Sequence, residues 1–315
     1  MIPNRLIFIW FGDSFPWENI IAMRSAINTN SPDEVLLIHQ GLSADMPELA
    51  EFFKLKFFRF VEADASWFKN LPDEGIAWEL FQELTSPASR ANLLRLAVLW
   101  KMGGVYLDTD TITIRDLTPL RQSHQGFIGV EPVALPREYY QSSNPLRHIT
   151  VGLKFIWREF CARTPGGAKW FRYTEGWFHP SVNNAVIGSI PEHPMIKKAF
   201  ETILTMDAET QRKRFRLGTH LMQDVTGNTS QENFEVFDSE YFYPLGPEIS
   251  AQWFKKGTDT KVREFCRPNT FVVHWYNSVE RRFLKENLSA DWVKRNPACA
   301  FSKLVSEYGD EVKLD

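Results

Sequence analysis

Two aspartates separated by one residue, Asp108 and Asp110, carry the clearest chemistry in this sequence. On an extended chain, side chains at positions i and i+2 project to the same face. Two negative charges held this close repel each other unless a cation lies between them, and such oxygen ligands suit Mg²⁺ or Mn²⁺. A metal here could hold a diphosphate and neutralise it as it departs. We therefore expect both aspartates to be catalytic metal ligands.

The residues that precede the aspartates predict a helix, a glycine break and a short strand. Ser86 is a typical N-cap, and Pro87 fits the first helical turn, where its missing N–H costs nothing. Apolar residues then recur at helical spacing over residues 93–100. The glycine pair at 103–104 ends the helix, and Val-Tyr-Leu at 105–107 has strand propensity. The aspartates are thus expected at the end of a strand.

Asn92 and Arg95 lie three residues apart on this predicted helix and share a face. The guanidinium of Arg95 offers several rigid donors to phosphate or sugar oxygens, and the Asn92 amide can exchange hydrogen bonds with hydroxyl groups. A solvated polar stripe is the alternative interpretation. The Gly-Gly-x-Tyr-x-Asp-x-Asp string that follows favours roles in a cleft, with Arg95 as a catalytic residue.

Strand and helix patterns alternate in the N-terminal half, which predicts an α/β fold with a mostly parallel central sheet flanked by helices. In such sheets ligands bind beyond the carboxyl ends of strands, near a switch in strand order. We predict strands at 6–11, 34–39, 57–62, 126–131 and 269–274, and helices at 16–28, 47–54, 73–84, from 87, and 194–205. We place one domain over residues 1–283 and a C-terminal helical appendage over residues 284–315.

The composition is that of a globular protein. With 315 residues, 43% of them hydrophobic, the chain can bury a sizeable core. Its net charge of −3 argues against general nucleic-acid binding, which needs a basic face. Its three scattered cysteines fit a reducing compartment. Since no apolar window reaches the length of a membrane span or a signal-peptide core, we expect a cytoplasmic, bacterial protein.

Four segments resemble the Asp-x-Asp glycosyltransferases of the family 32 type. That group includes yeast initiating mannosyltransferases, α1,4-galactosyltransferases, bacterial capsular polysaccharide enzymes and the glucosyltransferase domains of clostridial toxins. The segments occur in the family's order at residues 2–12, 86–110, 181–189 and 273–278. Two positions depart from the family's pattern. Ala91-Asn92 stands where many relatives have Ser-Asp, and Gly218-Thr219 stands in place of a Gly-Pro element.

The resemblance implies a GT-A-type fold and a metal-dependent enzyme that uses Mn²⁺ or Mg²⁺. The implied reaction moves a hexose from a nucleoside-diphosphate sugar, with a UDP-sugar favoured, to a hydroxyl of a glycan, lipid-linked or lipopolysaccharide acceptor, with retention. It also implies donor-binding roles beside Asn92. Trp10 would stack against the base, Tyr106 would contact the donor, and Asn183 and Asn184 would contact the sugar. His274 would be a third metal ligand or a hydrogen-bond donor to the leaving diphosphate, with Asn277 nearby. For Trp10, Tyr106 and His274, a purely structural role is the alternative.

Three other functions stay open. A haloacid-dehalogenase-type phosphatase would use Asp108 as the nucleophile and Asp110 as an acid/base, although about a third of the chain precedes the motif. An effector-type glycosyltransferase would modify a host protein. A sugar-binding protein that has kept the fold would catalyse nothing.

A basic cluster follows in the second half of the chain, at Arg212, Lys213, Arg214 and Arg216. Such a cluster is normally a solvated surface. The alternative is peripheral membrane contact through the phosphate groups of a glycolipid acceptor, which salt would weaken.

Overall fold

The protein is described here by a computed structural model that covers residues 1–71, 74–134, 143–213, 215–227, 230–231, 233–255, 261–277 and 287–312. Its strands are β1 (Arg5–Phe11), β2 (Glu34–Gln40), β3 (Phe58–Glu62), β4 (Gly104–Leu107), β5 (Thr111–Thr113), β6 (Gly126–Val133), β7 (His179–Ser189), β8 (Phe234–Phe237) and β9 (Val272–His274).

The α-helices lie between these strands and after them. They are α1 (Trp17–Asn30), α2 (Glu74–Glu83), α3 (Pro87–Met102), α4 (Thr118–Ser123), α5 (Pro145–Arg163), α6 (Gly167–Thr174), α7 (Pro194–Leu204), α8 (Ala208–Arg212), α9 (Thr219–Thr226), α10 (Ser239–Phe242), α11 (Ala290–Arg295) and α12 (Ala300–Tyr308). Short 3₁₀ helices occupy Pro47–Leu49, Phe52–Lys54, Ala65–Phe68, Glu175–Trp177, Pro247–Phe254 and Val262–Glu264.

Seven strands form the central sheet, in the order β3-β2-β1-β4-β7-β6-β8, and β5 pairs with β9 in a second, two-stranded sheet. Four of the six pairings in the central sheet are parallel, and the two that involve β7 are antiparallel. The predicted α/β architecture with a mostly parallel sheet is therefore confirmed. The chain order reverses between β1 and β4, so this is the switch point of the sheet.

Both faces of the central sheet are buried. Ile7 and Ile9 of β1 belong to the hydrophobic cluster that packs under α2, α3, α7 and α9, whereas Leu6 and Phe8 belong to the cluster on the opposite face, which includes residues of α1. This division follows from the alternation of side chains along a strand. The sheet is thus a rigid layer from whose edge the loops project.

The helix that leads to the two aspartates begins and ends as predicted. The Ser86 hydroxyl accepts a hydrogen bond from the Ser89 amide at 3.4 Å, and Pro87 occupies the first turn. Gly103 ends the helix with a φ of +60°, and a Cβ at this position would lie 2.7 Å from Cδ of Pro191. Only glycine fits there without displacement of the neighbouring loop.

Two predicted elements differ from the structure. The helix expected at 47–54 consists of two 3₁₀ turns instead. Its buried residues Leu49, Phe52 and Leu55 are spaced by three, and three residues per turn place them on one face. The strand expected at 269–274 is confined to β9, because Thr270 closes a turn onto the Arg267 carbonyl at 3.0 Å.

The C-terminal helices α11 and α12 pack through Trp292, Phe301 and Leu304 into a third hydrophobic cluster with Phe254 and Trp275. The predicted boundary between residues 283 and 284 lies outside the described residues, so the division into domain and appendage stays a prediction. Over the ranges that the structure covers, no helix is long and apolar enough to cross a membrane.

Candidate active site

Asp108 and Asp110 follow β4 at the switch point between β1 and β4, as the sequence predicts. Asp108 lies directly after β4, and its amide donates to the Ala185 carbonyl of β7 at 2.8 Å. The prediction that the strand runs through to Asp110 is wrong, since Thr109 and Asp110 form a turn. That turn leads into β5, whose first residue pairs with His274 of β9. One ligand atom from each of Asp108, Asp110 and His274 therefore lies within 4.8 Å of the others.

The Asp110 carboxylate is held on both sides. Its Oδ1 lies 3.0 Å from Nε2 of His274, and its Oδ2 accepts a hydrogen bond from the Asn277 amide at 2.9 Å. Burial alone would raise the pKa of Asp110, but the charge and hydrogen bond of His274, together with the Asn277 amide, lower it below its ordinary value. Asp110 is therefore ionised at neutral pH, as a metal ligand must be.

The His274 imidazole shares this electrostatic environment. Burial disfavours its charged form, yet the Asp110 charge and hydrogen bond, followed by the charges of Asp108 and Glu131, raise its pKa above the ordinary value. Its second nitrogen, Nδ1, is buried and has no hydrogen-bond partner among the described residues. Two carboxylates and an imidazole with an unpaired nitrogen form a donor set that suits Mn²⁺ or Mg²⁺, so the residues fit the predicted metal.

Arg95 supplies the positive charge beside Asp108. Only 4% of this side chain is exposed. Its Nη2 lies 3.3 Å from Oδ1 of Asp108, its Nη1 donates to the Asn184 carbonyl, and its guanidinium carbon lies 4.2 Å from the centroid of the Tyr106 ring. Tyr106 also donates its hydroxyl to Asp108. Burial raises the pKa of Tyr106 well above its ordinary value, so this hydroxyl keeps its proton.

A group of amides adjoins the acids. The Asn184 side chain donates to Oδ1 of Asn92 at 2.9 Å. A Cβ at Gly218 would lie 2.7 Å from Nδ2 of Asn92 and 3.0 Å from Nδ2 of Asn184. The loop before α9 thus approaches both amides closely, and a side chain at position 218 would displace them.

Glu131 is a member of the site that sequence reasoning missed. It lies buried in β6, where it accepts hydrogen bonds from Nδ2 of Asn183 at 2.6 Å and from the Tyr276 hydroxyl at 2.7 Å. Burial raises the pKa of Glu131 to about 6, although the Tyr276 hydrogen bond, the His274 charge and the Asn183 hydrogen bond lower it. The only sequence signal was a single acid within an apolar strand.

Two further predicted donor-binding residues, Asn277 and Trp10, lie near the acids and at the sheet edge, respectively. Asn277 bonds Asp110 through its backbone amide. Trp10 lies near the end of β1, at the same edge of the sheet, and its indole donates to the Ser14 carbonyl at 2.8 Å and meets the Phe15 ring edge-on. The expected base-binding role of Trp10 therefore stays a prediction.

The basic cluster has the pairing of an ordinary surface. Arg212 lies 3.0 Å from Glu83, Lys213 lies 3.1 Å from Glu209, and Arg216 pairs with Asp224. Arg214 lies outside the described residues. Each of the three described cations of this cluster is thus paired with a carboxylate, which favours the solvated-surface interpretation.

Comparison with known proteins identifies the region that holds the two aspartates. Residues 16–127 match the family described as the glycosyltransferase sugar-binding region containing a DXD motif. Comparison with curated protein sequences gives no match. One similar solved structure is PaToxG glycosyltransferase, which is 18% identical over 71% of this chain and 69% of that chain, with a TM-score of 0.43. Galactosyltransferase LgtC is 12% identical over 98% of this chain and 97% of that chain, with a TM-score of 0.48. Mouse xyloside xylosyltransferase 1 is 16% identical over 85% of this chain and 96% of that chain, with a TM-score of 0.48.

The family match, together with the seven-stranded sheet, confirms the predicted fold class and the resemblance to the DxD sugar transferases. It does not favour the phosphatase.

Proposed function

We propose that this chain is a DxD glycosyltransferase that transfers a hexose from a UDP-sugar to a hydroxyl of a glycan or glycolipid acceptor, with retention of anomeric configuration. The observation that carries the proposal is the convergence of Asp108, Asp110 and His274 within 4.8 Å at the switch point of the sheet. Ligands of open α/β sheets bind at this place.

These three residues would hold Mn²⁺ or Mg²⁺. When bound, the metal supplies positive charge to the donor diphosphate and so stabilises the leaving group. Asp110 is fixed by His274 and by the backbone N–H of Asn277. Asp108 is fixed by the Tyr106 hydroxyl and by Arg95. The ligands are therefore held in position before a donor arrives, which lowers the cost of ordering them.

Arg95 serves the diphosphate from the protein side. Its guanidinium is buried and held by the Asn184 carbonyl and the Tyr106 ring, so it cannot turn away to solvent. The fork spans Asn184 and Asp108 at the same time, which a lysine cannot do, and it holds the positive charge of Arg95 beside the proposed metal ligands. Arg95 thus neutralises charge that develops as the sugar–phosphate bond breaks.

The amides define the sugar side. Asn92 and Asn184 can exchange hydrogen bonds with sugar or ribose hydroxyls. The backbone of Gly218 lies directly beside both amides. Behind them, the Asn183 amide and the Tyr276 hydroxyl both bond Glu131. This network ties the sugar side to the segment that carries His274. Trp10, at the same edge, would stack on the base.

A donor-hydrolysis screen tests the proposal. Uridine- and guanosine-diphosphate sugars would be incubated with the protein in Mn²⁺, in Mg²⁺ or with a chelator. We expect release of UDP from one UDP-hexose in the presence of metal and none with the chelator. NMR of the glycosylated product would then give its anomeric configuration. Metal-independent release, or release of phosphate from a phosphomonoester, would contradict the proposal.

A further inference from the structure

Helix α5 presents an apolar stripe to solvent. Leu146, Ile149, Leu153, Ile156 and Phe160 are all exposed, with 64% of Leu153 and 66% of Ile156 accessible. Their spacing alternates between three and four residues, so they share one side of the helix. The helix packs on the protein through its opposite side, where Val151 and Cys161 are buried. Single exposed apolar residues are ordinary, but a continuous stripe marks an interaction site.

The next elements extend this stripe into a broader surface. Helix α6 adds Trp170 and Tyr173, and the 3₁₀ turn after it adds Trp177, all of them exposed. The Phe160 and Trp170 rings are stacked with their centroids 5.5 Å apart, and Lys154 donates to the Trp177 carbonyl. We call this combined surface of Leu146 to Phe160 with Trp170, Tyr173 and Trp177 the α5–α6 face.

The charge around the α5–α6 face is opposite to that of the chain. Residues 145–177 contain six lysines and arginines against two glutamates, which gives +4, whereas the whole chain carries −3. Arg147 and Lys169 are exposed beside the apolar residues. An amphipathic helix with aromatic and aliphatic residues on one side and cations along its flanks is suited to the interface of an anionic bilayer, where tryptophan and tyrosine also collect.

We propose that the α5–α6 face docks this protein on an anionic phospholipid surface. A second copy of the chain is the less suitable occupant, because a two-fold interface would bring together two segments that each keep a net positive charge even after Arg158 is paired with Glu248. The proposal does not depend on the metal site or on the proposed reaction.

Docking would also orient the active site. Helices α5 and α6 are inserted between β6 and β7, and these strands carry Glu131 and Asn183. A cavity of about 270 Å³ lies at the base of the insertion, with Arg147, Lys154 and Trp177 among its lining residues. The α5–α6 face is therefore connected to the strands that carry Glu131 and Asn183.

Vesicle co-sedimentation of the full chain tests the proposal. The probes are vesicles of phosphatidylcholine alone and of phosphatidylcholine with phosphatidylglycerol, each at low and high salt. We expect binding to the anionic vesicles that weakens as salt rises. Ile156→Gln should reduce this binding roughly tenfold, since it removes one apolar side chain from the interface, and Leu153→Gln in addition should abolish it. The double variant Arg147→Gln/Lys169→Gln should bind the anionic vesicles at least about tenfold more weakly.

Ile76→Gln is the matched control, because Ile76 is 55% exposed on the surface of α2 and lies outside the α5–α6 face. It should bind like the wild-type protein. Circular dichroism and thermal unfolding would show that each variant is folded, as expected for exposed positions. The proposal would be overturned if the wild-type protein bound no vesicles, or if Ile76→Gln lost as much vesicle binding as Ile156→Gln. It would also be overturned if the double variant Leu153→Gln/Ile156→Gln bound like the wild type. A dimer in solution that these two substitutions dissociate would overturn it as well, since the face would then bind a second copy.

Discussion

The acid side and the amide side of the site are built in different ways. On the acid side, Asp108 and Asp110 follow one strand and meet Arg95 and His274, so charge dominates its interactions. On the amide side, Asn92 of α3 and Asn184 of β7 share a neutral hydrogen bond, and Asn183 of β7 bonds Glu131. We infer that the acid side determines whether transfer occurs, and that the amide side determines which sugar is transferred.

The largest expected effect is the loss of an acid-side charge. Asp110→Asn keeps the size of the side chain but removes the negative charge that a metal ligand needs. We expect turnover to fall by about a thousandfold or more, as for the removal of a principal electrostatic contribution to the transition state. Steady-state UDP release measures this effect, and Asp108→Asn should behave alike. Chelator-resistant turnover at the wild-type rate in either variant would contradict the assignment.

Arg95→Lys comes next. Lysine keeps the charge but loses the planar fork and the contact with the Tyr106 ring, so we expect kcat/KM to fall by about a hundredfold. The control is Arg90→Lys, because Arg90 lies on the same helix but packs over Phe11 and Phe81. That variant should retain its activity. If both variants behaved alike, Arg95 would have only a structural role.

On the amide side, Asn92→Ala should have a smaller and different effect. It removes the partner of the Asn184 side chain and a possible contact to a sugar hydroxyl, which corresponds to about one to three kcal/mol. We expect about a tenfold loss with the preferred donor and a smaller loss with other hexoses, so that discrimination decreases. Competition between two UDP-hexoses measures this ratio. A loss that is uniform across donors would remove the distinction between the two sides.

The last effect is on stability and depends on pH. Because burial raises the pKa of Glu131 to about 6, the folded state binds this proton more tightly than the unfolded state does, whose glutamate titrates near 4.5. The stabilisation is complete below pH 4.5 and is lost as pH rises through 6. Glu131→Gln should therefore gain up to about 2 kcal/mol relative to wild type between pH 4.5 and pH 7. Urea unfolding at both pH values measures the difference, and a pH-independent difference would contradict it.

Local signals account for what the sequence predicted well. The N-cap at Ser86, the apolar repeat of α3 and the glycine at 103 act over a few residues, and together they predicted the approach to Asp108. The contact between Asp110 and His274 joins residues 164 positions apart, and only the resemblance to a family suggested it. Glu131 is joined to Tyr276 over 145 positions, and no local pattern marks that contact. Burial and pairing of this kind depend on the assembled fold.

The most direct test of the central claim is calorimetric titration of Mn²⁺ into the protein in the presence of UDP. We expect one Mn²⁺ to bind per chain and the affinity to fall by at least about a hundredfold in Asp110→Asn and in His274→Ala. Because the Asp110 charge helps to raise the pKa of His274, binding should weaken as pH falls through a value above 6.5, where the imidazole gains its proton. Wild-type affinity in both variants would show that the metal binds elsewhere and would contradict the account.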